Sequence, residues 1–432
     1  MLSFEDNEMM CRVGPGTPMG ELLRRYWHPA LLSREIPEPD SPPVRVKLLG
    51  EELVAFRDTN GNIGLIDNHC PHRRASMFFG RNEECGLRCV YHGWKFDLEG
   101  NCVDMPSEPA ESNFKDKVKI TAYPVKEAAG MVWAYIGPLD VMPRFTDFSF
   151  TNVDPEYIVA TKTPVYCNYI QSIEGNIDTS HISYLHRNLA DFQPDADPKD
   201  GTDILGYPSG KMSTFLRSVD RTPKVETQPT SYGFREGGIR QTPNGHQFIR
   251  INCHVFPVTT FVAFLPWQNR GALIIVPSDD DSCMRYSVFQ NPEAPIPEES
   301  RQPMIANNER RDENGLRLMN KTNDYLLDRE AQRTTSYSGI GGVGEQDYAV
   351  TESMGTIGDR TREHLGTPDD SIIHLRKILL KAARDLQEGK PPPFQDEGID
   401  FDQIRSEEVI IAADEDWKNS GTYAGEGEVV RS

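Results

Sequence analysis

Long apolar runs are missing from this 432-residue chain: nothing approaches the roughly 18 consecutive apolar residues of a membrane helix. No membrane span is therefore expected. The first residues, MLSFEDNEMMCRVGPG, have neither the basic nor the apolar region of a secretory leader, which points to a cytoplasmic protein. Positive charge is scarce, with 46 Lys and Arg against 66 Asp and Glu and a net charge of -20. That balance disfavours nucleic acid and anionic membrane surfaces, which attract basic faces. Cysteine is too sparse for a disulfide scaffold. The eight are Cys11, Cys70, Cys85, Cys89, Cys102, Cys167, Cys253 and Cys283. In a long cytosolic chain, clustered thiols are better read as metal ligands. Internal repeats are absent, while 37% hydrophobic and 9% aromatic residues suffice for a real core.

What is present falls into two textures. Thr17 before Pro18 predicts a helix start, since Thr caps well and Pro is favoured at the first helical position. From Val44 to about Gly137, short alternating runs such as VRVKLLG, ELVAFRD, IGLIDN and GMVWAYIG are separated by turn signals such as Asn60-Gly61. Regularly spaced short strands predict a small antiparallel β domain. Beyond about residue 150, strand-like runs occur at 247–256, 259–265 and 272–276. An amphipathic helix is predicted over 371–386, capped by Asp369 or Asp370 and ended by Gly389 and Pro391 to Pro393. Residues 194–203 read as an exposed loop and the last 20 as a polar surface tail. The expected fold class is α+β: an all-β domain over 1–150 with an N-terminal helix, then an α+β domain over 151–432 with an antiparallel sheet and helices.

The β domain holds HCPHRRASMFFGRNEECGLRCVYHGWKF, with Cys70 and His72 in one loop and Cys89 and His92 in the next. Unrelated core and surface residues would rarely pair in this way. A structural zinc site would accept Cys2His2, but C-x-H is short for it and the intervening sequence is not finger-like. One Cys and one His per loop fits a Rieske [2Fe–2S] cluster, in which two thiolates hold one iron and two imidazoles the other. Gly93 and Trp94 suit a tight loop under an aromatic lid. Cys85 has no His beside it, and His69 reads as structural or solvent-exposed.

The second dense patch is NYIQSIEGNIDTSHISYLH, with Glu174, Asp178, His181 and His186. Residues five apart on a regular helix diverge by about 140°, so His181 and His186 would need a widened turn to converge. Asp178, three residues before His181, can orient that imidazole. Two His and one carboxylate form the facial triad of non-haem Fe(II) oxygenases; two satisfied histidines on an acidic helix surface is the plainer alternative. One string, GIGGVG at 339–344, literally fits a dinucleotide fingerprint, but polar, helix-like residues precede it where an apolar strand is required. The glycines suit a loop instead, and reducing equivalents must then arrive from another protein.

With these motifs, the sequence resembles the oxygenase α-subunits of Rieske non-haem iron aromatic-ring hydroxylases, most of all the phthalate dioxygenase-like branch. The resemblance extends from GPGTPMGELLRRYWHPAL through the Cys–His stretch and EGNIDTSHISYLH to DREAQRTTSYSGIGGVGEQDYAVTESMG. It implies an Asp as third iron ligand. Among Asp324, Asp328, Asp347 and Asp359, it matches Asp347. It also implies a homotrimer or stacked homohexamer in which Asp178 bridges His181 to His92 of a neighbouring subunit, and an NAD(P)H-dependent flavin or iron–sulfur reductase as partner. The implied reaction uses O2 and the delivered electrons to cis-dihydroxylate an aromatic carboxylic acid. The branch also contains monooxygenases that O-demethylate methoxylated lignin-derived acids. A non-catalytic electron-transfer protein is the alternative from another class. For the substrate carboxylate, Arg217, Arg240 and Arg250 are candidates among the arginines of 200–260, because guanidinium offers a bidentate fork.

Overall fold

The computed structural model describes residues 1–109, 111–189, 219–263 and 271–421. The chain divides into two compact units, one of Arg12–Thr146 with Val276–Asp280, the other of Met1–Cys11, Asp147–Ile275 and Asp281–Ser432. This differs from a single cut at residue 150 in two places. Helix Phe4–Cys11 belongs to the later unit, where the Asn168 side chain donates to the Cys11 carbonyl at 2.9 Å and Tyr169 OH to that of Met10 at 3.0 Å. Residues 276–280 belong to the earlier one, where the Leu49 and Gly50 amides donate to the carbonyls of Pro277 and Ser278 at 3.0 and 2.8 Å.

The first unit contains the helix expected after Thr17, Pro18–Leu23, capped by Thr17 Oγ1 accepting from the Gly20 amide. Its strands form three small antiparallel sheets of three, three and four strands. Two sheets are meanders, Val44–Leu48 to Glu51–Arg57 to Ile63–Asp67, and Arg81–Glu83 to Cys102–Asp104. Val54, Phe56, Ile66, Met77, Leu87, Trp94 and Phe96 pack one core, and Cys70 and Cys89 lie in it. The two thiols therefore sit within a buried apolar cluster of the unit.

Among the described residues, the second unit is built on an eight-stranded antiparallel sheet. Strand Gln247–Val255 pairs along its whole length with Gly233–Gln241. Its other edge is shared between Thr259–Phe261 and Glu407–Ile411. Helix Asp370–Gln387 covers the 371–386 prediction and buries Leu375, Leu379, Ala382 and Ala383. Asp369 precedes it, but its carboxylate accepts from the Gly366 amide and caps no helical N–H. The expected strand over 259–265 is seen at Thr259–Phe261; residues 264 and 265 and the 194–203 loop lie outside the described residues.

The polar tail is not wholly a surface feature. Trp417 is 2% exposed, its indole donating to Glu226 Oε2 at 2.9 Å. The ring fits because Gly237 faces it: a Cβ there would lie 2.6 Å from the indole. A single large aromatic overrides the acidic composition around it.

Candidate metal centres

The two Cys–His loops share one backbone design. In each, the cysteine amide donates to the carbonyl five residues on, Cys70 to Ala75 at 2.9 Å and Cys89 to Trp94 at 2.8 Å. In each, the residue four on returns its amide to the cysteine carbonyl at 2.9 Å, from Arg74 and Gly93. Closure needs a left-handed residue at that fourth position, and φ is +62° at Arg74 and +80° at Gly93. The matched loops bring Cys89 close enough to Cys70 to influence its ionisation and set the His72 and His92 rings 4.4 Å apart. Burial, reinforced by the neighbouring thiol, pushes Cys70 up to about 11. Among the described residues His72 Nδ1 is buried with no hydrogen-bond partner, as a ring nitrogen meant for a metal would be. The expected aromatic lid is Trp94, stacked on His72 of the other loop at 4.4 Å and 12°. Two buried thiols and two facing imidazoles suit a [2Fe–2S] cluster of mixed ligation. Cys85 stands apart on a hairpin tip, its Sγ accepting from the Asn60 side chain, and His69 lies beside Asp67.

In the second unit, helix Tyr169–Ile177 ends before the histidines. The Asp178 amide makes the last helical bond, to Glu174 O at 3.0 Å, and its carboxylate then takes the Ser180 amide at 2.6 Å. A widened turn is therefore not how His181 and His186 meet. His181 opens a short 3-10 turn, and the chain folds back through the Leu185 amide on the His181 carbonyl at 2.8 Å. Glu174 is no ligand. It is buried between Arg360 and Arg376 at 3.1 and 2.7 Å and braces the helix. Burial raises its pKa, but the two guanidiniums prevail and hold it low.

The third group arrives on helix Val343–Ser353, which starts just after Gly342 (φ +83°), so the glycine-rich string is a helix entry. Asp347 Oδ1 lies 3.1 Å from His186 Nε2 and 3.7 Å from His181 Nε2, and the two Nε2 atoms are 3.1 Å apart. Asp324, Asp328 and Asp359 do not join the group: Asp328 caps helix Arg329–Thr334 and Asp359 binds the Thr361 hydroxyl.

What the three atoms face is decided by the rings' other nitrogens. His186 Nδ1 donates to Gln346 Oε1 at 2.6 Å, and Gln346 Nε2 donates onward to Ile340 O at 2.8 Å, which fixes the amide's orientation. His181 Nδ1 points at Asp178 Oδ2, 3.4 Å away. Both rings thus carry their proton on Nδ1 and present a bare Nε2 lone pair beside a carboxylate oxygen. With both rings neutral, the two Nε2 atoms and the carboxylate oxygen are three acceptors around one point, a donor set that fits a divalent metal. Burial would lower His181, but Asp178 outweighs it and holds it above its ordinary range. Burial likewise raises Asp347, and His186 reverses it, leaving that carboxyl low.

The sheet supports this constellation through residues the sequence did not single out. Glu236 Oε1 accepts from the Thr179 amide at 3.3 Å and Oε2 from Asn252 at 2.9 Å; its burial raises it to about 7. Arg240, a substrate candidate, donates through Nη2 to Thr179 O and Ser183 Oγ at 3.1 and 3.2 Å. It grips the loop that carries His181. Arg250 donates Nε and Nη2 to Ala263 O at 3.1 and 2.7 Å, and its Nη1 has no hydrogen bond among the described residues. Arg217 lies outside the described residues. Sequence spacing carried little signal for Gln346 beyond its adjacency to Asp347, and none for Glu236 or Asn252.

Residues 26–124 match the Rieske [2Fe-2S] domain family and residues 134–432 the LigXa C-terminal domain like family. The phthalate 4,5-dioxygenase oxygenase subunit of Pseudomonas putida is 38% identical, over 97% of this chain and 94% of its own length. The 5,5'-dehydrodivanillate O-demethylase oxygenase subunit of Sphingobium sp. is 33% identical, over 91% of this chain and 83% of its own. Among solved structures, the NdmA QL mutant of Pseudomonas putida CBB5 with theobromine shares the fold, with a TM-score of 0.58 and 19% identity over 86% of this chain and 94% of that one. Among the described residues no helix is long and apolar enough to cross a membrane. With a Rieske [2Fe-2S] domain followed by the catalytic domain of an iron-dependent family, the chain belongs to the Rieske non-haem iron oxygenases, as a terminal oxygenase subunit of aromatic-ring hydroxylating and demethylating systems.

Proposed function

We propose that Cys70, His72, Cys89 and His92 hold the [2Fe–2S] cluster, that His181, His186 and Asp347 hold mononuclear iron, and that the chain cis-dihydroxylates an aromatic carboxylic acid. The observation that carries this is the convergence of two Nε2 atoms and one carboxylate oxygen, all within 4.8 Å of one another. When bound, the two groups supply electron storage and the reductive activation of O2. The protein's part is positional. Gln346 and Asp178 fix the tautomers, while Arg240 and Glu236 pin the intervening loop. Arg250, whose Nε lies 4.0 Å from Glu408 and whose Nη1 makes no hydrogen bond among the described residues, supports the choice of an anionic substrate, and Arg240 serves the loop. The reductase that feeds the cluster is a separate NAD(P)H-dependent protein. A homotrimer, single or stacked, lets Asp178 of one subunit reach His92 of the next.

Balanced stoichiometry shows why the alternative is close. Dihydroxylation converts an arene, O2, two electrons and two protons into a dihydrodiol. O-demethylation uses the same O2, electrons and protons, and yields a phenol, formaldehyde and water. The relative named as an O-demethylase favours keeping this second reading. An electron carrier without turnover has no use for the second donor set. The test is turnover of the iron-replete protein with a compatible reductase and labelled O2, on phthalate isomers, benzoates and methoxylated aromatic acids. Two labelled oxygens in a dihydrodiol support the reading; formaldehyde with a phenol replaces it by demethylation.

A further inference from the structure

Arg285 lies inside strand Cys283–Gln290, opposite Thr163, with 9% of its surface exposed. Its Nη1 stands 3.7 Å from Asp347 Oδ2, beyond hydrogen-bond length. Its Nε is buried without a partner, and the guanidinium makes no hydrogen bond among the described residues. A buried cation in this condition calls for an explanation.

The neighbouring arginine shows what satisfaction looks like here. Tyr348 lies 5.5 Å from the Arg285 guanidinium and 4.3 Å from that of Arg317. Arg317 is as well buried, yet Nη1 reaches Glu345 at 2.9 Å and Nη2 reaches Glu352. Two arginines share one ring; one has two carboxylates, and the other has none of its own. The single carboxylate within 4 Å of Arg285 among the described residues, Asp347, also belongs to the triad. Once a divalent metal takes that carboxylate, Arg285 faces added positive charge, and an anion restores the balance.

We propose that Arg285 is a specificity-determining residue that binds the substrate's carboxylate beside the triad. The inference rests on the reading of an aromatic acid as substrate. An acid docked for ring hydroxylation brings its carboxylate close to His181, His186 and Asp347, and a guanidinium fork can hold it through two parallel hydrogen bonds. That contact sets which ring carbons face the reacting centre. Arg250 differs, because two of its donors are already fixed on Ala263 O.

The test measures equilibrium binding by calorimetry to the anaerobic, iron-replete enzyme, with iron content assayed in parallel. The probes are benzoate, phthalate and their primary carboxamides. For Arg285→Met the expected result is a Kd raised about 10- to 100-fold for the better-bound acid and little change for its amide, with iron retained. Arg285→Lys, which keeps the charge and loses the fork, falls between. An acid-to-amide preference in Arg285→Met equal to that of wild type overturns the proposal, and loss of iron with that preference intact would make Arg285 a brace for Asp347. If wild type binds neither acid, the aromatic-acid reading itself fails, and wild type alone reveals it.

Discussion

The loops bearing Cys70–His72 and Cys89–His92 close on their own backbones, each through two hydrogen bonds within six residues. The triad has no such local frame. His186 and Asp347 are 161 positions apart (347 − 186) and meet because a braced helix, a folded-back turn and a second helix happen to converge. A self-closed loop confines a ligand's fate to its neighbours in sequence. The proposed iron site, assembled from distant segments, would depend on groups outside its donor set, here Gln346, Asp178, Glu236 and Arg240.

The sharpest way to break this comparison is to delete one ligand on each side. Cys89→Ser is expected to remove the cluster's visible absorption and reduce turnover by at least about 1000-fold, while iron in the other unit stays. His186→Ala should give the mirror image, with the cluster spectrum intact, iron lost and turnover equally reduced. Loss of both groups in either variant would show that the two sites do not assemble independently.

The same contrast explains what could be read from the sequence. The Cys–His pairs were legible because four residues of two distinctive types fall within 23 positions, Cys70 to His92. His181 and His186 were found as a pair, but the spacing suggested a widened helical turn. Asp178 instead ends the helix and caps the next turn with its own carboxylate, a choice between local hydrogen bonds that spacing does not reveal. Asp347 needed the family resemblance, since four acidic candidates looked alike. The amphipathic helix at Asp370–Gln387 was plain from its period, whereas Trp417 and Arg285 became informative only once the fold set Gly237 against the one and Asp347 near the other.

Asp178→Asn tests whether a residue outside the donor set can matter as much as one within it. The substitution keeps the size and removes the charge that holds His181. Turnover should fall about 100-fold with iron and cluster both at wild-type content. Wild-type turnover under those conditions would end the bridging role. Gln346→Leu is the gentler version. Without Gln346 Oε1, His186 loses the acceptor that keeps its proton on Nδ1, and iron affinity should weaken about 10- to 100-fold. A competition with a chelator reads this directly, and the cluster spectrum serves as the internal control.

The smallest effect concerns the sheet beneath the loop. Glu236 has a carboxyl raised to about 7 by burial, with the Asp178 charge adding to it and Asn252 opposing. A folded-state pKa above the unfolded value of 4.5 means that its neutral form is preferred in the fold. Its contribution is fully present below about pH 4.5 and is lost as pH rises through about 7. At pH 8 the catalytic unit should therefore be less stable than at pH 5 by about 3 kcal/mol from this group. Glu236→Gln removes the titration. It also gives up one of the two hydrogen bonds, since an amide nitrogen replaces one acceptor, but that cost is the same at every pH. Thermal unfolding of the iron-replete proteins from pH 5.5 to 8.5 should show the catalytic-unit transition falling with pH in wild type and flattening in Glu236→Gln. Parallel slopes would mean that Glu236 is ionised throughout that range and that Thr179 is held by a charge. The loop would then depend on the sheet even more strongly than the hydrogen bonds suggest.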